Sequence, residues 1–243
     1  MRWLLEHNHF DFVFELESVF GNGPDHSNLW CDFETALGQY DFEKAATWDM
    51  TNLYVSQEQV GSINISSGGS FFLDVSLNTI VVKSFSSWVR CIEMANEKKA
   101  NLDQDAIFLT FNYTETLEYL YNIKLEKVLH IHGCRMHNEK LIVGHRNCID
   151  PTTAWKEGGY LRDNNERVQH ICDMNELYKP VESIIGIHQD FWSQLQYIEK
   201  VVVLGHSCNE IDYLYFEKVI ASIPRDTQWI FYYHTYDDRN RML

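Results

Sequence analysis

Polar side chains suited to acid–base chemistry or ligand binding follow short apolar runs at four places in the chain. The clusters are Asn112-Tyr113-Thr114, His130-Ile131-His132-Gly133, Gly144-His145-Arg146 and Gly205-His206-Ser207, the last followed by Asn209 and Asp212. Neutral imidazole accepts a proton near pH 7, so these histidines are candidate general bases. His132 ends an apolar run and precedes a glycine, which makes it the first candidate. His130 alternates with Ile131, so we expect it on the same side of the strand as His132.

Apolar runs of strand length precede these clusters and predict the elements that position them. The predicted strands are Ala106–Phe111, Val128–His132, Leu141–Val143, Val201–Leu204 and Trp229–His234, and helical spacing marks Phe71–Glu97, Glu115–Tyr121 and Val168–Leu195, the last with a break near Pro180. Alternating β and α elements favour an α/β fold, with a largely parallel sheet and helices on its faces. The carboxyl ends of parallel strands share one edge, so the clusters are expected to converge in one cleft. A single histidine there more often satisfies backbone groups, but the clusters taken together favour a ligand cleft.

The stretch Lys200–Phe216 is a predicted strand, glycine turn and helix. Its apolar run, Val201–Leu204, is rich in β-branched residues and is typical of a strand buried on both faces of a parallel sheet. Gly205 allows a turn without a steric penalty, and Ser207 or Asn209 can cap the helix that follows. The start of such a helix offers free N–H groups to an anion. On the residues alone, a ligand-binding turn and a plain connector are equally supported.

Composition and charge argue against several classes of function. The 243 residues are 45% hydrophobic and 23% charged, as in ordinary globular proteins. The formal net charge of −15 argues against a nucleic-acid partner, since no basic face is available to displace counterions. No apolar run reaches the roughly 20 residues that a membrane helix needs. Six dispersed cysteines, no C-x-x-C pair and no secretory leader predict reduced thiols in the cytoplasm.

A metal site and a cysteine nucleophile are the chemical alternatives. The candidate metal ligands are His130, His132, His145 and His206, with Asp212 or Asp150 as the carboxylate, as a metal-dependent hydrolase or nuclease would use them. No H-E-x-x-H or comparable spacing supports this set, and no metal is expected. Cys208 precedes a predicted helix, whose N-terminus can lower the pKa of a thiol. A buried, inert thiol is the more usual case.

Five ordered motifs extend over nearly the whole chain. They are W-C-D-F-E-T-A-L-G at 30–38, F-L-T-F-N-Y-T-E-T-L-E at 108–118, H-I-H-G at 130–133, I-V-G-H at 142–145 and L-G-H-S-C-N-E-I-D-Y at 204–213. In this order they resemble the bacteriophage abortive-infection AbiH family. That resemblance implies a defence role, in which an infected cell stalls or dies before phage can spread. AbiH proteins are in turn similar to sirtuin-like, NAD-binding defence proteins, which implies a sirtuin-like sheet and NAD as ligand or substrate.

The resemblance also implies roles for particular residues. Asn112 would match the asparagine that contacts the nicotinamide ribose, and His132 would match the catalytic histidine that precedes a glycine. Gly205 and Ser207 would match the turn that holds the ribose and phosphate region. The implied activity is hydrolysis of NAD at the nicotinamide–ribose bond. The remaining cofactor-binding candidates are Thr110, Tyr113, Gly133, His206 and Asp212.

The start of the chain departs from the family pattern. Family members begin with an apolar strand and a G-N-G-F-D turn, whereas no strand is predicted before Gly21-Asn22-Gly23-Pro24. We therefore expect a single domain over 1–243, mainly helical over 1–100, with an α/β core over 101–243 and the first strand missing. The missing strand favours a second hypothesis, a catalytically degenerate module that senses a phage component or another protein. An unpaired sheet edge would also favour a homo-oligomer.

Overall fold

A computed structural model describes residues 77–137, 140–155, 158, 161–206, 208, 210–233 and 239. The chain divides into two units, Met1–Tyr178 and Lys179–Leu243. The predicted helices before residue 77 and the predicted loss of a first strand lie outside the described residues. The division into a helical part over 1–100 and a core over 101–243 therefore stays a prediction.

The first unit contains a short parallel sheet with a helical crossover. Strands β1 and β2 pair in parallel, with Thr110 opposite His130. The predicted parallel arrangement of these strands is confirmed, although both are shorter than predicted. Among the described residues of this unit, the elements are α1 (Leu77–Cys91), β1 (Phe108–Thr110), α2 (Thr116–Tyr121), β2 (Val128–His130) and α3 (Leu161–Asn175), with 3-10 turns at Leu125–Lys127, Arg135–His137 and Pro151–Ala154.

The second unit contains another parallel pair of strands. Val202 of β3 lies opposite Ile230 of β4. The elements are α4 (Val181–Ile187), α5 (Gln189–Gln194), β3 (Lys200–Leu204), α6 (Tyr213–Ser222) and β4 (Gln228–Tyr232), with 3-10 turns at Leu195–Tyr197 and Glu210–Asp212. Buried apolar side chains in the described part of this unit are Val181, Ile184, Trp192, Leu195, Val203, Ile211, Tyr215 and Val219.

Helices that alternate with parallel strands confirm the predicted α/β class. The ends of two helices follow from local chemistry. Helix α2 ends at Tyr121 and is capped by Asn122, whose φ of 58° is the left-handed conformation that commonly terminates a helix. The predicted break near Pro180 is confirmed, because α3 ends at Asn175 and α4 begins at Val181. In the part of the chain that the structure describes, no helix is long and apolar enough to span a bilayer.

Two strand predictions are wrong. Residues 141–143 form no strand, although Leu141 and Val143 are buried and the N–H of Ile142 donates to the carbonyl of His132 at 2.9 Å. Their apolar pattern reports burial of a loop rather than pairing in a sheet. β3 is also not buried on both faces, since Val202 is 42% exposed and Leu204 47% exposed. Successive side chains of a strand point to opposite faces, and only one face of β3 is covered.

Helix boundaries were predicted less well than helix positions. α1 ends at Cys91, before the predicted limit of Glu97, and α3 begins at Leu161, before the predicted start at Val168. Apolar spacing locates the buried face of a helix, whereas its ends depend on bonds that spacing does not describe.

Arg135 joins three segments of the first unit. Its guanidinium donates to the carbonyls of Val89 and Ile92, at the C-terminal end of α1, over 2.9 and 2.5 Å. It also donates to both carboxylate oxygens of Glu115, over 2.9 and 3.1 Å. The N–H of Arg135 donates to the carbonyl of Tyr113 at 3.0 Å. A cation at a helix C-terminus and a two-pronged ion pair are both favourable, so Arg135 holds the loop after β1 against α1.

Candidate functional site

The main chain of Asn112 is hydrogen-bonded on both sides, at the point where the chain leaves β1. Its N–H donates to Oγ1 of Thr110 at 3.2 Å, and its carbonyl accepts from Nδ1 of His130 at 2.9 Å. The residue itself is exposed. A fixed main chain with an accessible amide is the arrangement that a ligand-contacting residue requires. Thr110 therefore acts on Asn112 through the backbone.

His130 is held between Asn112 and a carboxylate that sequence reasoning missed. Nε2 of His130 lies 2.9 Å from Oε1 of Glu118, and the side chains are only 8% and 10% exposed. Glu118 lies in the first turn of α2, directly after the Asn112 loop. The sequence shows the carboxylate of Glu118 early in the helix that follows β1. It does not show which histidine that carboxylate would contact.

His132 is almost fully enclosed, with 3% of its surface exposed. The ring of Phe111 meets it edge-on at 5.5 Å between centroids, and the ring of Tyr113 stacks at 6.1 Å. Its carbonyl accepts from the N–H of Ile142. The structure thus places His132 beside the Asn112 loop, behind two aromatic rings. Its role as general base stays a prediction.

Gly133 and Tyr113 both lie close to the backbone of residues 140–142. Gly133 has a φ of 84°, and a Cβ at this position would come 3.2 Å from the carbonyl oxygen of Lys140. The glycine is required by the turn and by the close approach of residue 140. The hydroxyl of Tyr113 donates to the carbonyl of Ile142 at 2.8 Å. The described contacts of both residues are structural, and their ligand-binding roles stay predictions.

His145 has both ring nitrogens engaged with the backbone. Nε2 donates to the carbonyl of Met174 at 2.9 Å, and Nδ1 accepts from the N–H of Asn147 at 3.1 Å. This pattern requires the neutral imidazole with its proton on Nε2. Burial lowers the pKa of His145, which also favours the neutral form. His145 therefore fastens the loop after residue 144 to the end of α3.

The metal-site alternative has no geometric basis in the described residues. Among them, no group of three or more His, Cys, Asp or Glu side chains is arranged to hold an ion. The nitrogens of His130 and His145 are directed at other partners. The carboxylate of Asp150 accepts from the N–H of Thr152 at 2.9 Å, and this bond lowers the pKa of Asp150. Asp150 thus begins the 3-10 turn at Pro151–Ala154.

The turn after β3 lies in the second unit. Gly205 has a φ of 62°, and no atom of the described residues lies within 4 Å of the place where a Cβ would stand. The turn therefore needs glycine for its backbone angle rather than for a close approach among those residues. Nδ1 of His206 accepts from the N–H of Cys208 at 2.8 Å. Burial raises the pKa of the Cys208 thiol, which disfavours the thiolate form that a nucleophile needs. Ser207 and Asn209 lie outside the described residues.

Asp212 is buried between two basic side chains. Its Oδ2 lies 3.5 Å from Nε2 of His206, and its Oδ1 lies 3.6 Å from Nζ of Lys179. The side chain of Lys179 is wholly buried, and the nearby carboxylate offsets the cost of burying its ammonium group. Asp212 and His206 were predicted as site residues from the sequence, whereas Lys179 was not. Lys179 lies directly before Pro180, and nothing in that position indicates a functional side chain.

The sequence-predicted residues form two groups. Thr110, Asn112, Tyr113, His132 and Gly133 lie together at the ends of β1 and β2 in the first unit. Gly205, His206 and Asp212 follow β3 in the second unit. The convergence of all of them in one cleft stays a prediction.

The family described as bacteriophage abortive infection AbiH matches residues 3–233, nearly the whole chain. The chain belongs to the AbiH family. Membership confirms the resemblance that the five motifs indicated, and it places the protein in bacteriophage abortive infection. No curated protein and no solved structure matches this AbiH chain.

Proposed function

We propose that this AbiH-family protein acts in phage defence by binding NAD beside Asn112 and hydrolysing its nicotinamide–ribose bond. Two features support the proposal: the motifs similar to those of sirtuin-like, NAD-binding defence proteins, and the exposed, rigidly held Asn112. In the reaction the C–N bond breaks and its electron pair leaves with nicotinamide, which becomes neutral. Water forms the new C–O bond to the ribose and gives up a proton.

Exposure supports the role of Asn112, and the family resemblance supports the role of His132. The exposed amide of Asn112 bonds a ribose hydroxyl or the attacking water, and its fixed main chain keeps that amide in place. His132, behind Phe111 and Tyr113, is the candidate base for the proton released by water. The observation that carries the proposal is the two-sided anchoring of Asn112, because positioning is the main demand of this reaction.

The test is NAD consumption by purified protein and an Asn112→Ala variant. We expect turnover to fall on the order of 100-fold, the usual loss when one positioned polar contact to the transition state is removed. The matched control is Asn101→Ala, which removes the same side chain from another exposed position of the first unit. His132→Gln, with its folding checked by circular dichroism, tests the base separately.

Equal turnover by wild type and Asn112→Ala would remove Asn112 from the mechanism. Equal turnover by wild type and His132→Gln would do the same for His132. Isothermal calorimetry with NAD and ADP-ribose distinguishes a protein that binds without cleaving. Absence of detectable heat with either ligand would contradict the proposal.

The second candidate function is an interaction module without catalysis. The exposed apolar side chains on β3 and β4 favour it: Val202 and Leu204 lie on one strand, and Tyr232, 59% exposed, lies opposite Leu204. Apolar sheet surface of this kind supports self-association. The same calorimetry separates the two candidates, since a module of this kind needs no nucleotide.

A further inference from the structure

The contact between Glu118 and His130 requires a proton. Nδ1 of His130 faces the carbonyl of Asn112, which can only accept, so Nδ1 carries a hydrogen. Nε2 lies 2.9 Å from Oε1 of Glu118. Without a second hydrogen, a nitrogen lone pair would face a carboxylate oxygen at this distance. Both side chains are about nine-tenths buried, so water cannot relieve that repulsion.

The second hydrogen belongs to the imidazole. In water, an imidazole binds a proton about a hundredfold more tightly than a glutamate carboxylate does. Glu115, the other acidic group whose charge acts on His130, is already paired with Arg135 at 2.9 Å. Within the described part of the chain, Oε2 of Glu118 has no hydrogen-bond partner. Glu118 and His130 therefore form a buried carboxylate–imidazolium pair.

We propose that Glu118 and His130 are positioning residues that share one proton and thereby hold the Asn112 peptide in place. With that proton, His130 donates at both ends and bridges Glu118 to the Asn112 carbonyl. Without that proton, Nε2 and the carboxylate repel each other, and the bond from Nδ1 to Asn112 weakens. The assignment of Asn112 as a ligand contact rests on the proposed function, whereas the shared proton does not.

The variant Glu118→Gln removes the shared proton but keeps the hydrogen bonds at both ring nitrogens of His130. The introduced amide donates its own N–H to Nε2, so His130 keeps its bond to Asn112 as a neutral ring. The variant therefore preserves the bridge and removes its dependence on pH. Glu126→Gln is the matched control, because it removes the same charge from an exposed position.

Nuclear magnetic resonance of protein labelled with ¹⁵N in its histidines and asparagines tests the pair directly. His130→Gln identifies the His130 signals by their loss. At neutral pH we expect both ring nitrogens of His130 to be protonated in the wild type and in Glu126→Gln. In Glu118→Gln only Nδ1 is protonated. As the pH is raised, the Asn112 amide signals move with the His130 ring in the wild type and stay in place in Glu118→Gln.

Nucleotide binding provides the second measurement. We expect the affinity of the wild type for NAD to fall about tenfold from neutral to alkaline pH, the loss of roughly one hydrogen bond. The affinity of Glu118→Gln stays constant over the same range. The proposed shared proton would be contradicted if only one ring nitrogen of His130 were protonated in the wild type. It would also be contradicted if the Asn112 signals did not shift together with the His130 signals. If the resonances behave as expected and NAD does not bind, the pair stands and the proposed function fails.

Discussion

At the scale of single residues, the histidines of this chain differ in what their ring nitrogens face. His145 faces one acceptor and one donor, so the neutral ring satisfies both. His130 faces two oxygens, so only the charged ring satisfies both. A sequence does not display these hydrogen-bond partners, because they come from segments that only folding brings together.

His145 makes stability depend on pH in a defined direction. Its pKa in the folded protein is lowered from the ordinary value of 6.5, so the unfolded chain binds more protons near that pH. This contribution to the free energy of unfolding is fully present above pH 6.5 and is lost as the pH falls through the folded pKa. Urea unfolding of wild type and His145→Gln across this range should show a smaller pH dependence in the variant. Equal slopes would show that His145 does not carry the effect.

At the scale of elements, α1, α2 and β2 are connected through one cation. Arg135 follows β2, bonds the C-terminal carbonyls of α1 and pairs with Glu115 just before α2. The bond from Arg135 lowers the pKa of Glu115. The stability from this pair is therefore present above the ordinary value of 4.5 and is lost as the pH falls through the folded pKa.

Two replacements of Arg135 should distinguish the contribution of its charge to stability from that of its two-pronged hydrogen bonding. Arg135→Ala leaves Glu115 and the α1 carbonyls without their partner, and we expect a loss of about 3 kcal/mol in the free energy of unfolding. Arg135→Lys keeps the charge but cannot make the two-pronged contact, so we expect a smaller loss of about 1 kcal/mol.

Urea denaturation at neutral pH measures both Arg135 variants. Arg225→Ala, which removes an exposed arginine elsewhere in the chain, is the control and should stay within about 0.5 kcal/mol of wild type. If Arg135→Lys were as destabilised as Arg135→Ala, the positive charge would contribute nothing to the free energy of unfolding. If neither variant were destabilised, Arg135 would not stabilise the loop after β1.

At the scale of the whole molecule, a strongly acidic α/β chain of the AbiH family acts in abortive infection. The first unit holds the anchored Asn112 and the second holds the buried Lys179–Asp212 contact. The charge of −15 disfavours nucleic acid as the target, so a small ligand or a protein is the expected partner.

Phage challenge of bacteria that express the protein tests the defence role together with Asn112. Because infected cells are sacrificed, we expect cultures to survive when phage are few and to collapse when every cell is infected. Asn112→Ala should lose the protection, and Asn101→Ala should keep it at equal protein levels. Protection with every cell infected would contradict abortive infection, and protection by Asn112→Ala would separate defence from this site.

The sequence alone determined the features that depend on local pattern. The parallel strands, the break near Pro180, the family and the polar clusters that follow β1, β2 and β3 were predictable, because they follow from apolar spacing, backbone restriction and ordered motifs. Strand pairing was predicted less well, since the same apolar pattern marks a strand and a buried loop, as at residues 141–143.

Only the tertiary structure decided how the candidate residues are used. Glu118 meets His130 across 12 positions of sequence, and Lys179 meets Asp212 across a longer separation. The enclosure of His132 depends on how aromatic rings from the loop after β1 pack around it. Hydrogen bonds and ion pairs are directional and act over about 3 Å, so residue types name the possible partners, and folding selects among them.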